Sequence, residues 1–211
     1  MLENASFVRA WHARRPDVVE NRPTDTETRG HIPGEVGIWV FVAGDLLVFG
    51  VFFIVIALGQ AEQPALFAES RASLDLWLGM WNTVLLLTGS WFVAIGVEKC
   101  RATGKPAASR YFSLAVVCGL AFAANKVFEW GAKLSLDISP ATNDFFMLFF
   151  IFTGIHLLHV LVGIGVLLLV RNISRRPELA PRDISTIESG ATFWHLVDLL
   201  WIVLFALFYL L

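Results

Sequence analysis

The sequence predicts an all-α membrane protein, a bundle of five transmembrane helices with its N-terminus cytoplasmic and its C-terminus on the outer (periplasmic) side. Three observations carry that reading. Hydrophobic residues make up 56% of the 211-residue chain, with 18 Phe and 8 Trp, more than a soluble domain tolerates. Charged residues are only 16% and gather in a few polar stretches, the pattern of spans separated by loops. Each apolar run between those stretches reaches the roughly 20 helical residues that a hydrocarbon core about 30 Å thick requires.

Residues 1–36 read as a polar cytoplasmic tail broken by Pro16, Pro23 and Pro33, with a short helix expected around Phe7 to Trp11. The tail has no apolar core of a signal peptide, so insertion is expected to begin at the first span. Residues 37–211 then form one five-helix domain. The first span, about 37–59, is GIWVFVAGDLLVFGVFFIVIALG with Asp45 as its single charge, and the second, about 74–97, holds Trp77, Trp81 and Asn82. After the basic loop EKCRATGKPAASR comes a third span, about 111–131, with Asn125, Lys126 and Glu129 near its far end. The fourth, about 144–170, carries His156 and His159 on one face. A second basic loop leads to the fifth, about 190–211, with His195 and Asp198 three residues apart at its start.

Orientation follows from the basic residues. Of 16 Lys and Arg, 13 fall in the tail and the loops after spans two and four, against Arg71 and Lys133 on the other side and Lys126 within a span. The positive-inside rule therefore puts the tail in the cytoplasm. Cys100 and Cys118 are too few and too far apart in environment for a disulfide framework or thiolate site, and read as structural. Trp39, Trp77, Trp130 and Trp201 suit interfacial belts and lipid contact. Gly79, Gly89, Gly96, Gly154, Gly163 and Gly165 suit close helix packing.

At 1.5 Å per residue, Asp45 lies about 12 Å, His195 about 9 Å, Asp198 about 13 Å and His159 about 16 Å from the cytoplasmic end of its span, with His156 one turn further out. Unpaired charges at such depth cost about 2.5–3.5 kcal/mol each on insertion scales. The expectation is a buried polar cluster of Asp45, His156, His159, His195 and Asp198, in which Asp45 or Asp198 accepts a hydrogen bond from a histidine nitrogen. Lys126 and Glu129, also three apart, form a separate outer-side group. Such groups can hold helices together, relay protons, or ligate a metal or haem. Ligation is the weakest of these, because only three of the five histidines lie in spans, too few for a haem-copper catalytic centre. No phosphate-binding loop or nucleic-acid signature is present, and no nucleic-acid partner is expected. A stand-alone proton-coupled transporter or channel is the alternative in another class, although the internal repeats common in such folds are not evident.

FWHLVDLLWIVLF resembles the terminal-helix signature of the subunit III family of haem-copper oxidases, and DFFMLFFIFTGIHLLHVLVGIGVLLL resembles the penultimate helix of that family. WNTVLLLTGSW, FAANKVFEW and GDLLVFGVFF resemble three further segments, so that the likeness covers about residues 34–211 in a five-helix form. Asp45 stands where mitochondrial-type members have Glu, and Lys126 where Gln is usual. Asp45 together with PGEVGIWVFVAGDLLVFG makes the chain most similar to the NorE type associated with bacterial nitric oxide reductase. The resemblance implies a non-catalytic inner-membrane subunit of a cytochrome c oxidase, quinol oxidase or nitric oxide reductase complex. It implies no cofactor on this chain, haem with copper or iron in a subunit I-type catalytic partner, and bound phospholipid. It also implies roles for Asp45 as the family's buried acid near the proton-entry side, for His159, His195 and Asp198 as helix-linking groups, and for Glu129 as the acid at the outer helix end.

Overall fold

A computed structural model describes residues 35–103 and 108–211, and the short helix expected around Phe7 to Trp11 lies outside them. Among the described residues the regular structure is all helical, without strands. Five helices are long and apolar enough to cross a membrane: α1 (Val36–Glu62), α3 (Leu76–Thr103), α4 (Ala108–Leu134), α5 (Asp144–Ile173) and α6 (Pro181–Phe205), the last running on as a π-helical turn, Ala206–Leu210. A short helix not foreseen from the sequence, α2 (Pro64–Ala72), fills the connection after α1.

Local chemistry sets the boundaries. Pro64 opens α2, where its missing N–H costs nothing. Burial draws the Arg71 guanidinium in its last turn below the ordinary arginine value. Asp75 Oδ1 accepts from Leu78 N at 3.2 Å at the start of α3, and Asn143 Oδ1 accepts from Phe146 N at 2.9 Å as the N-cap of α5. Between α4 and α5 the chain reverses through Asp137, a non-glycine residue at φ 60°, which a short polar side chain tolerates. Pro181 opens α6, and Asp183 in its first turn accepts from Ala180 N at 3.0 Å and from Arg176 at 2.5 Å.

α3, α4, α5 and α6 close a ring, each packing on the next and α6 returning to α3, while α1 leans on α6 and α5 from outside. α1 is accordingly the most exposed span and α6 the most buried. The ring is held by an aromatic wedge. Trp194 of α6, 1% exposed, lies where a Cβ at Gly119 of α4 would stand 2.8 Å from its ring and one at Gly163 of α5 3.0 Å. Only glycine lets both helices close on that indole. Gly79 and Gly96 likewise face Phe205, Tyr209 and Phe112, whereas a Cβ at Gly165 meets nothing within 4 Å, so that glycine marks no packing site. Trp201 also departs from the belt expectation. It is fully buried, stacked edge-on with Phe122 and bonded through its indole N–H to Thr83 Oγ1 at 3.0 Å.

Candidate functional site

A fully enclosed ion pair lies inside the ring. Lys126 and Glu129, one turn apart on α4, are 0% and 2% exposed and pair at 2.8 Å. The Tyr209 hydroxyl, carried in by the π-helical turn, donates to Glu129 Oε1 at 2.5 Å and lies 3.1 Å from Lys126 Nζ. The ammonium also stands 4.6 Å and 4.9 Å from the ring centroids of Phe149 and Trp201. Carboxylate, phenol and π faces thus replace the water that a lysine loses here. The sequence placed these two residues in one outer-side group at spacing three without deciding that they pair, and Tyr209 is the member it missed. A lone Tyr in the final apolar turn was the available signal, since a buried phenol needs a partner.

The five residues expected in one polar cluster are divided among three places. Asp45 of α1 and His159 of α5 meet, Oδ1 to Nε2, at 3.2 Å. The other ring nitrogen, Nδ1, is 2.8 Å from the Ile155 carbonyl oxygen, which can only accept, so Nδ1 carries a proton. His156 turns away, because residues three apart differ by about 60° around a helix. It is fully buried against Trp201 and Phe122, with neither ring nitrogen bonded among the described residues.

Neither His195 nor Asp198 bonds to Asp45, and His195 finds its partner on α3 instead. His195 Nδ1 is 3.2 Å from Ser90 Oγ, while Asp198 Oδ1 has no hydrogen-bond partner among the described residues. Asp198 is buried but His195 is exposed on the bundle surface. Nearer the helix start, Arg101 of α3 and the buried Glu188 of α6 pair at 2.8 Å. Among the described residues no three His, Cys, Asp or Glu side chains converge as a metal site requires.

These contacts share a geometry. Asp45–His159 joins α1 to α5, Ser90–His195 joins α3 to α6, and Glu129–Tyr209 joins α4 to the end of α6, so that the polar side chains are spent tying spans to one another. The fold and site define a polytopic membrane protein in which Asp45, His159, His195 and Glu129 each bond from one span to another.

Residues 34–211 match the family described as Cytochrome c oxidase subunit III. The chain is 30% identical to cytochrome c oxidase subunit 3 of Synechocystis sp. over 176 residues, 83% of this chain and 74% of that one. It is 29% identical to cytochrome c oxidase subunit 3 of Thermostichus vulcanus, covering 83% and 86%, and 23% identical to the probable quinol oxidase subunit 3 of Staphylococcus haemolyticus, covering 90% and 95%. The chain belongs to the cytochrome c oxidase subunit III family, whose members are non-catalytic subunits of haem-copper oxidases.

Proposed function

We propose that this chain packs beside the large catalytic subunit of a respiratory haem-copper-type complex in the bacterial inner membrane, and supports that subunit's assembly, stability and access for protons and gas. The observation that carries the reading is the extent of the family match, which spans the whole helical domain from residue 34 to 211. The use of Asp45, His159, His195 and Tyr209 as ties between helices fits a scaffold. Haem and copper or iron belong, on this reading, to the partner. The N-terminal side faces the cytoplasm, where 13 of the 16 basic residues lie.

The complex is of the nitric oxide reductase type, the NorE branch of the family. Asp45 in place of Glu, together with the segment PGEVGIWVFVAGDLLVFG, favours that branch, and Asp45 lies in a described polar contact with His159. The apolar groove of about 350 Å³ between α1, α5 and α6, lined by Phe41, Val162, Val166 and Phe193, suits a phospholipid acyl chain. The test is turnover. A complex isolated through this chain is assayed with nitric oxide and with oxygen, and its activity is followed over repeated cycles with and without the chain. Nitric oxide reduction that decays faster without the chain is expected. Oxygen consumption alone would move the chain to the oxidase branch, and identical decay would remove the supporting role.

A further inference from the structure

We propose that the groove between α3 and α6 is the docking face for the catalytic subunit, and that it receives a transmembrane helix of that subunit bearing a hydrogen-bonding side chain at the level of His195. This rests on the subunit reading above. The groove encloses about 320 Å³, with Ala94, Glu98 and Arg101 on one wall and Ala191, Thr192 and His195 on the other.

Depth makes His195 informative. The Arg101–Glu188 pair at 2.8 Å marks where α3 and α6 share a level at the charged end of the spans. His195 is seven residues further along α6, about 10 Å deeper. Its side chain is nevertheless exposed on the surface of the bundle. One ring nitrogen is engaged by Ser90, and the other has no partner among the described residues. Lipid tails offer that nitrogen nothing, and a polar group left unsatisfied in hydrocarbon costs free energy. By contrast, the groove beside α1 is almost wholly apolar and lipid satisfies it.

The neighbouring residues favour a helix as the occupant. Ala94 and Ala191 are small and allow close backbone approach, the usual condition for association of helices in a bilayer. Trp91 stands one turn deeper than Ala94 on the same face of α3, about 15 Å from the level of Arg101, and is 63% exposed. Tryptophan is drawn to the membrane–water interface or to the centre of protein interfaces, and at this depth only the second applies. At the groove mouth Glu98 is an exposed acid. It complements the Lys and Arg that flank the cytoplasmic ends of transmembrane helices. The partner helix therefore carries a basic residue opposite Glu98 and a hydrogen-bonding one opposite His195.

The experiment places a benzophenone amino acid at Trp91 or Ala94 of the tagged chain, with Val51 and Leu58 of α1 as comparison sites, and irradiates native membranes before purification. Positions 91 and 94 are expected to give adducts with the catalytic subunit, mapping to one helix with a basic cytoplasmic end, and the α1 positions none. In parallel, His195→Leu is expected to lower co-purified haem about tenfold, the effect of one interhelical hydrogen bond, while His195→Gln keeps it within about twofold. Adducts from 91 and 94 only to lipid or to a second copy of this chain, or catalytic-subunit adducts only from α1, would overturn the proposal, as would unchanged haem with His195→Leu. If the unaltered chain brings down no haem at all, the subunit reading itself fails. Haem retained without adducts at 91 and 94 refutes the groove alone.

Discussion

Glu129→Gln tests the enclosed ion pair. The substitution keeps the volume and an oxygen for the Tyr209 hydroxyl, and removes only the charge. Lys126 Nζ now faces Glu129 Oε2 at 2.8 Å. At an effective dielectric of about 20, two unit charges at that separation attract by roughly 6 kcal/mol. Part of the loss is cushioned by the Phe149 and Trp201 rings at 4.6 Å and 4.9 Å. The expected cost is about 3–5 kcal/mol, the usual range for leaving one member of a buried pair uncompensated. Lys126→Met combined with Glu129→Gln removes both charges. It is expected to recover most of that loss, because no buried charge is then left uncompensated and the Gln amide can still accept from the Tyr209 hydroxyl. The assay is equilibrium unfolding in mixed micelles followed by tryptophan fluorescence, with Trp201 adjacent to the pair as reporter. A Glu129→Gln protein within about 1 kcal/mol of the parent, or a double variant less stable than the single one, would refute the reasoning.

Three further outcomes follow from the same structure. Asp45→Ala removes the acceptor for His159 at 3.2 Å and is expected to cost about 0.6–2 kcal/mol, to lower co-purification of the partner and to hasten activity decay; unchanged assembly and decay would dismiss that tie. Gly119→Ala drives a Cβ to 2.8 Å from the Trp194 ring and is expected to cost about 1–3 kcal/mol in the same unfolding assay. Gly165→Ala, with open space around it, is expected to be neutral or to stabilise by up to about 1 kcal/mol through helix propensity; equal effects at the two glycines would show that the wedge does not limit packing. Tyr209→Phe deletes the hydrogen bond to Glu129 at 2.5 Å and is expected to cost about 1.5–3 kcal/mol; a stability equal to the parent would detach the π-helical turn from the buried pair.

The helices were legible because hydrophobic length is a strong signal in a chain that must satisfy every backbone group internally. α2 was not, since nine residues opened by Pro64 look like loop when read for spans alone. Which polar residues share a helix face was also legible, but which neighbour each face meets was not. His156 and His159 share a turn of α5, yet one packs against Trp201 and the other reaches Asp45 on α1. That choice depends on how each helix is rotated about its axis, and the rotation is set by packing at Trp194 and its facing glycines, which lie far apart in sequence. Trp201 misled for the same reason. Its position near a span end suits an interface, but α6 is the innermost helix and turns it towards Phe122. Ser90 and Glu188 gave little warning, each being a single polar residue whose partner sits on another span.

The central claim is that the chain works as a subunit beside a haem-bearing protein. A mild-detergent pull-down of the tagged chain from native membranes, read by optical spectrum and by mass spectrometry of what accompanies it, tests that claim most directly. The account predicts a haem spectrum and a large polytopic catalytic subunit in the eluate. A colourless chain that comes down alone under several gentle detergents would contradict it.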